Sequence, residues 1–157
     1  MIAIGTDAPD FELPSSELTA EGRPGKTIRL GDYRGKKHVV LAFYPLDFSP
    51  TCSKEIGCFK DDSLKLESAN AQILGISVDS VWAHQAFAKQ MGIGYPLLAD
   101  FHPKGQVAEK FGLYNAERGF TKRATVIIDK NGKIAFTQEH SDQRDDKVIL
   151  AELAKLQ

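Results

Sequence analysis

Apolar and polar positions follow two rhythms along this chain, and the changes between them mark its elements. The run "HVVLAFYP" (38–45) is short, continuous, β-branched and aromatic, as for a strand buried on both faces. "QILGISV" (72–78) is a second such run. Between them Cys52, Ile56, Phe59, Ser63 and Leu66 recur at helical spacing and form one stripe. Residues 38–78 therefore predict strand, helix, strand, a parallel βαβ unit. Upstream, "PSSELTAEGRPGKTIRL" is rich in Pro, Gly and Ser and predicts an exposed hairpin or loop.

Downstream, "SVWAHQAFAKQMG" predicts a helix that Ser80 caps and Gly92 ends, with Ala83, Phe87 and Met91 on one face. "KGQVAEKFG" is a shorter helix, also closed by a glycine. "RATVIIDKNGKIAFTQ" sets Asn131-Gly132 between two apolar runs, a strong hairpin signal. The last element is an amphipathic helix carrying Val148, Ile149, Leu153 and Leu156. A parallel βαβ half, then a hairpin and a last helix, is the thioredoxin-like order. The expected fold is α/β, a mixed central sheet with helices on both faces, and residues 1–157 are expected to form a single domain.

Composition narrows the function classes. A net charge of −1, with 42% hydrophobic and 26% charged residues, gives no reason to expect nucleic acid or an anionic membrane as partner. The start "MIAIGTDAPDF" lacks a basic segment followed by a long apolar run, so no secretory signal is expected. No apolar run approaches the ~20 residues that span a bilayer. Two cysteines make no disulfide framework, which fits a reducing, cytoplasmic setting.

Both cysteines, Cys52 and Cys58, fall in "DFSPTCSKEIGCF". The helix signal begins around Ser49 to Thr51, so Cys52 lies in the first turn. Unpaired N–H groups there, and the helix dipole, favour a negative sulfur. Pro50 suits the first helical position, where a missing N–H is harmless. Pro45 ends the strand and turns the chain over its C-terminal end, where α/β folds carry their sites. On position alone a buried structural cysteine fits as well. The loop ahead of it favours chemistry.

That loop, "FYPLDFSPTCSKE", resembles the active-site loop of the peroxiredoxins, thiol-dependent peroxidases of thioredoxin-like fold. Their signature is a proline, three residues, Thr or Ser, two residues and the reactive Cys, here Pro45, Ser49 and Cys52. "GTDAPDFEL", "LGDYRGKKHVVLAFYP", "SVDS", "YPLLAD" and "KRATVIID" resemble further family segments in the same order, the last bearing Arg123. "YPLLADFHPKGQVAEKFGLYN" looks closest to small one-cysteine alkyl hydroperoxide reductases and their bacterial and archaeal relatives.

The resemblance implies a peroxidase for hydrogen peroxide, organic hydroperoxides or both. Cys52 would attack one peroxide oxygen and become a sulfenic acid. Arg123 would stabilise thiolate and peroxide, Ser49 would hydrogen-bond the peroxide, and Pro45 would shield the sulfur. Glu55 would hold the arginine, and Arg144 matches a second, outer arginine weakly. The implied partners are a thiol reductant such as thioredoxin and further copies of the chain, as a homodimer or larger assembly. Exposed aromatics at Trp82, Phe101 and Tyr114 would serve that interface.

No cysteine follows position 58, so the sulfenic acid is reduced by Cys58 or by an outside thiol. On an ideal helix six residues rise about 9 Å and rotate about 240°, leaving the two Cα atoms roughly 10 Å apart. A disulfide needs about 4.4–6.8 Å, so pairing requires the helix to unwind. Family members with two thiols five apart do unwind it; six is a departure.

The four histidines are scattered and the cysteine spacing does not suit zinc, so no metal is expected. His84, beside Trp82, reads as packing. No phosphate loop or dinucleotide fingerprint calls for a cofactor. The competing class is a thioredoxin-like protein disulfide oxidoreductase or redox sensor. Exchange of that kind uses C-x-x-C, and Ser49 occupies the first position of the frame.

Overall fold

The computed structural model describes residues 1–49, 66, 68–141 and 146–156. Along the chain come β1 (Glu12–Pro14), β2 (Thr27–Arg29), a 3-10 turn (Leu30–Tyr33), β3 (His38–Phe43) and β4 (Ala71–Ser77). They are followed by α1 (Val81–Met91), β5 (Leu97–Ala99), α2 (Gln106–Lys110), β6 (Tyr114–Asn115) and β7 (Phe120–Thr121). β8 (Ala124–Ile128), β9 (Ile134–Glu139) and α3 (Asp146–Ala154) complete the order.

The main sheet runs β5-β4-β3-β8-β9. β3 is parallel to β4, from the pair His38–Ala71 to the pair Phe43–Ile76, and antiparallel to β8. All six β3 residues are buried, His38 included, as the continuous β-branched and aromatic run predicts. The two-residue period then divides them. Val39, Leu41 and Phe43 join a core with Phe11, Leu13 and the α2 residues Val107 and Ala108, and the Phe43 and Phe111 rings lie 5.4 Å apart. Val40, Ala42 and Tyr44 join the opposite core with Phe87 of α1, Ile149 and Leu153 of α3, and Leu66. Helices thus cover both faces of a mixed sheet, and the fold is thioredoxin-like. No helix among the described residues is long and apolar enough to cross a membrane.

Local signals act where they are written. Ser80 caps α1 by accepting the Ala83 N–H at 3.2 Å, and Gly92 ends it at φ 67° and ψ 36°. The Pro- and Gly-rich segment is the β1–β2 antiparallel connection. At the Asn131-Gly132 turn only Gly132 of residues 130–132 takes a positive φ, +80°. The Asp129 carboxylate accepts the N–H groups of Asn131 and Lys133, and the pairing shifts by one residue after Ile127. This is a three-residue hairpin with a bulge rather than the tightest two-residue turn. β5 and the β6–β7 pair were not legible as strands.

One expectation needs correction. Trp82 and Phe101 are exposed, but Tyr114 is half-buried against the core. Its ring fills the space over Gly105, where a Cβ would meet Tyr114 Cδ1 at 2.2 Å. Of the predicted stripe, Leu66 is helical and buried; Cys52, Ile56, Phe59 and Ser63 lie outside the described residues.

Candidate active site

The C-terminal rim of the sheet gathers the predicted site residues that are described. Phe43 pairs with Ala124, and Ala124 with Glu139. One step further, Tyr44, Arg123 and His140 stand side by side, and the His140 N–H donates to the Arg123 carbonyl at 2.8 Å. Arg123 shares its strand face with Thr125 and Ile127. Ile127 belongs to the core that contains Tyr44 and Leu66, the face on which the Cys52 stripe ends. Thr125 Oγ1 and His140 Nε2 lie 3.0 Å apart. Burial, reinforced by the Arg123 charge, holds the His140 imidazole below its ordinary pKa.

Residues 45–49 leave this rim. Pro45 and Ser49 are half-buried, and the Ser49 hydroxyl donates to the Leu46 carbonyl at 3.3 Å. Phe48 has φ +69°, a left-handed conformation uncommon for a residue with a side chain. Such strain persists only where its surroundings over-determine it. The register therefore sets Arg123 beside the strand end from which the chain runs through Pro45 and Ser49 to position 52. Cys52, Glu55, Cys58 and Arg144 lie outside the described residues.

Under the loop lies a polar cluster that sequence reasoning missed. The Tyr44 hydroxyl donates to Asp47 Oδ1 at 2.6 Å, and His84 Nδ1 lies 2.7 Å from Asp47 Oδ2. His84 Nε2 lies 2.9 Å from the Leu98 carbonyl oxygen. The Asp47 N–H donates to Asp79 Oδ2 at 2.9 Å, and the Ser77 hydroxyl donates to the same oxygen. Burial first, then the Asp47 charge, pushes the Tyr44 phenol well above its ordinary value, so it remains a donor. The one available signal was Asp47 itself, a charge between Leu46 and Phe48 in an otherwise apolar approach.

Ligand atoms of Asp47, Asp79 and His84 lie within 4.8 Å of one another, a spacing that suits a cation. Both Asp47 oxygens, Asp79 Oδ2 and both His84 nitrogens already have protein partners. The cluster is a hydrogen-bond network.

Known proteins give the same picture. The AhpC/TSA family profile matches residues 4–137. Alkyl hydroperoxide reductase E of Mycobacterium tuberculosis is 33% identical over 158 residues, covering 99% of each chain. The chloroplastic 2-Cys peroxiredoxin BAS1 of Spinacia oleracea is 40% identical over 138 residues, covering 83% of this chain and 50% of that one. The crystal structure of peroxidoxin BcpB from Mycobacterium tuberculosis superposes with a TM-score of 0.87 at 31% identity, covering 100% of this chain and 99% of that one. The chain belongs to the AhpC/TSA family, the peroxiredoxins.

Proposed function

We propose that Cys52 is the peroxidatic thiol of this thiol-dependent peroxidase. The Cys52 thiolate attacks the nearer oxygen of a hydroperoxide. The O–O bond breaks, sulfur is oxidised to sulfenic acid, and the leaving oxygen takes a proton to become water or an alcohol. A dithiol reductant, thioredoxin among the candidates, then attacks the sulfenic acid with release of water to form a mixed disulfide, and its second thiol displaces the Cys52 thiol, leaving the reductant oxidised to a disulfide.

A low thiol pKa alone does not make a fast peroxidase. Lowering a thiol from ~8.5 to ~6 raises the thiolate fraction at pH 7 roughly 30-fold. Nucleophilicity falls about 13-fold over the same range, with a Brønsted slope near 0.4–0.5. The net gain is only about twofold. The remainder comes from donors aimed at the developing charge on the leaving oxygen. Arg123 and Ser49 fill that role, Pro45 excludes water from the sulfur, and Glu55 holds the guanidinium.

The observation that carries this reading is the register that sets Arg123 beside Tyr44, where the loop toward Cys52 begins. Cys58 is the resolving thiol only if the helix that the sequence predicts from Cys52 unwinds at its start. Pairing of two copies through exposed Trp82 and Phe101 suits a homodimer. Peroxide consumption with dithiothreitol or thioredoxin as reductant tests the proposal. Wild type consumes peroxide and Cys52→Ser does not. Reduction of insulin disulfides without peroxide turnover would instead indicate protein disulfide exchange.

A further inference from the structure

The reaction above makes no use of the buried cluster beneath the loop, yet that cluster holds the loop from three sides. Tyr44 reaches Asp47 from the end of β3, Asp79 from beyond β4, and His84 from α1. Tyr44 and His84 are fully buried and Asp47 is 8% exposed, so water offers no substitute partners. His84 is itself tethered to β5 through the Leu98 carbonyl.

Its protons can be counted. A carbonyl oxygen only accepts, so His84 Nε2 carries a hydrogen. The 2.7 Å bond between Nδ1 and Asp47 Oδ2 contains a second hydrogen, whichever atom holds it. Without it two acceptors would face each other in a dry interior. Asp47 is thus bonded to both Tyr44 and His84, and any shift of Asp47 breaks a 2.6 Å and a 2.7 Å bond together.

The next residue is the strained one. Phe48, at φ +69°, packs its ring edge-on against Phe87 with centroids 5.0 Å apart. His84 and Phe87 are three apart on α1 and share a face. Two anchors on one helix therefore hold Asp47 and Phe48, and the left-handed turn between them aims Ser49 and the chain toward Cys52.

We propose that His84 is a positioning residue for peroxide reduction: through Nδ1 it fixes Asp47, and through Asp47 the Phe48–Ser49 turn from which the chain runs on to Cys52. This rests on the reading of Cys52 as the peroxidatic thiol.

Two isosteric substitutions separate the nitrogens. The amide nitrogen of Asn falls near the place of Nδ1, and that of Gln near Nε2. His84→Asn keeps the Asp47 bond and gives up Leu98; His84→Gln does the reverse. Each loses one buried hydrogen bond, so a role confined to packing predicts equal effects. Pre-reduced proteins are mixed with hydrogen peroxide in a quench-flow device, and oxidised Cys52, as sulfenic acid or as its disulfide with Cys58, is counted by mass spectrometry. In parallel, Cys52 alkylation by iodoacetamide reports the thiolate without needing donors aimed at a peroxide.

The expected result is a second-order peroxide rate at least tenfold lower in His84→Gln than in His84→Asn, with alkylation rates within threefold of each other. Equal peroxide rates, or peroxide and alkylation rates falling in parallel, overturn the inference. Should His84→Gln fail to fold, Tyr44→Phe frees Asp47 from its other side-chain donor. A threefold or greater loss of peroxide rate at constant alkylation is then expected, and no loss overturns the inference. Wild type in which peroxide leaves Cys52 neither as sulfenic acid nor in a disulfide with Cys58 overturns the peroxidase reading and this inference with it; equal variants in an active wild-type background overturn only this inference.

Discussion

Asp100 follows β5 and is 1% exposed, and its carboxylate caps α2 from a distance. Oδ1 accepts the Val107 N–H at 3.0 Å and Oδ2 the Ala108 N–H at 2.9 Å. The residue before α2, Gly105, has no side chain to do this. Asp100→Ala leaves two first-turn N–H groups unpaired at residues that are themselves buried. Each orphaned donor costs about 1–3 kcal/mol. Burial pushes the Asp100 carboxyl above its ordinary range, against the pull of the two N–H groups, so removing it recovers some desolvation. The net loss is then about 2–4 kcal/mol. At about 2–4 °C per kcal/mol for a chain of this length, Tm falls by roughly 5–15 °C. Urea unfolding followed by circular dichroism, with calorimetry for Tm, measures it. A loss under about 1 kcal/mol would refute the argument that Asp100 caps α2.

Three further outcomes follow from the same geometry. Gly105→Ala places a Cβ 2.2 Å from the Tyr114 ring at φ +73°, so a loss of about 2–4 kcal/mol is expected, and a Tm within 2 °C of wild type would contradict it. His38 and His140 are both held below the ordinary value of 6.5, chiefly by burial and then by Lys130 and Arg123 respectively. Their neutral forms belong to the fold, so stability is full above pH 6.5 and falls as pH drops below it toward the folded values. Urea midpoints between pH 7.5 and 5.5 should decline less steeply in His140→Gln; an equal or steeper decline removes His140 from the account. Arg123→Ala should lower the peroxide rate by about 10²–10³ while Cys52 alkylation, at a pH where both proteins are fully ionised, changes only a few-fold. Equal proportional losses would show that Arg123 acts only on the thiolate.

Sequence periodicity reached furthest where one element decides its own burial. β3 is buried at every position, and its apolar residues 39–43 divide between the two cores by odd and even number as a pleated strand requires. Ser80 acts through its hydroxyl on an N–H three residues on, and Gly92 and Gly132 through their own backbone, so they were readable as well. β5 was not, because three residues carry no period; its place comes from pairing with β4 and from the Ser15–Leu98 bridge. Tyr114 looked exposed because the slot it fills is made by a missing side chain nine residues earlier. The loop motif points to Cys52, but His84 meets Asp47 across 37 residues, and only the fold brings them together.

Reduced protein treated with one equivalent of hydrogen peroxide and analysed at once by peptide mass spectrometry should carry one added oxygen atom at Cys52, or a Cys52–Cys58 disulfide formed from it. The Cys52→Ser protein should leave the peroxide untouched. First oxidation at Cys58, or peroxide consumed by Cys52→Ser at the wild-type rate, would contradict the central claim.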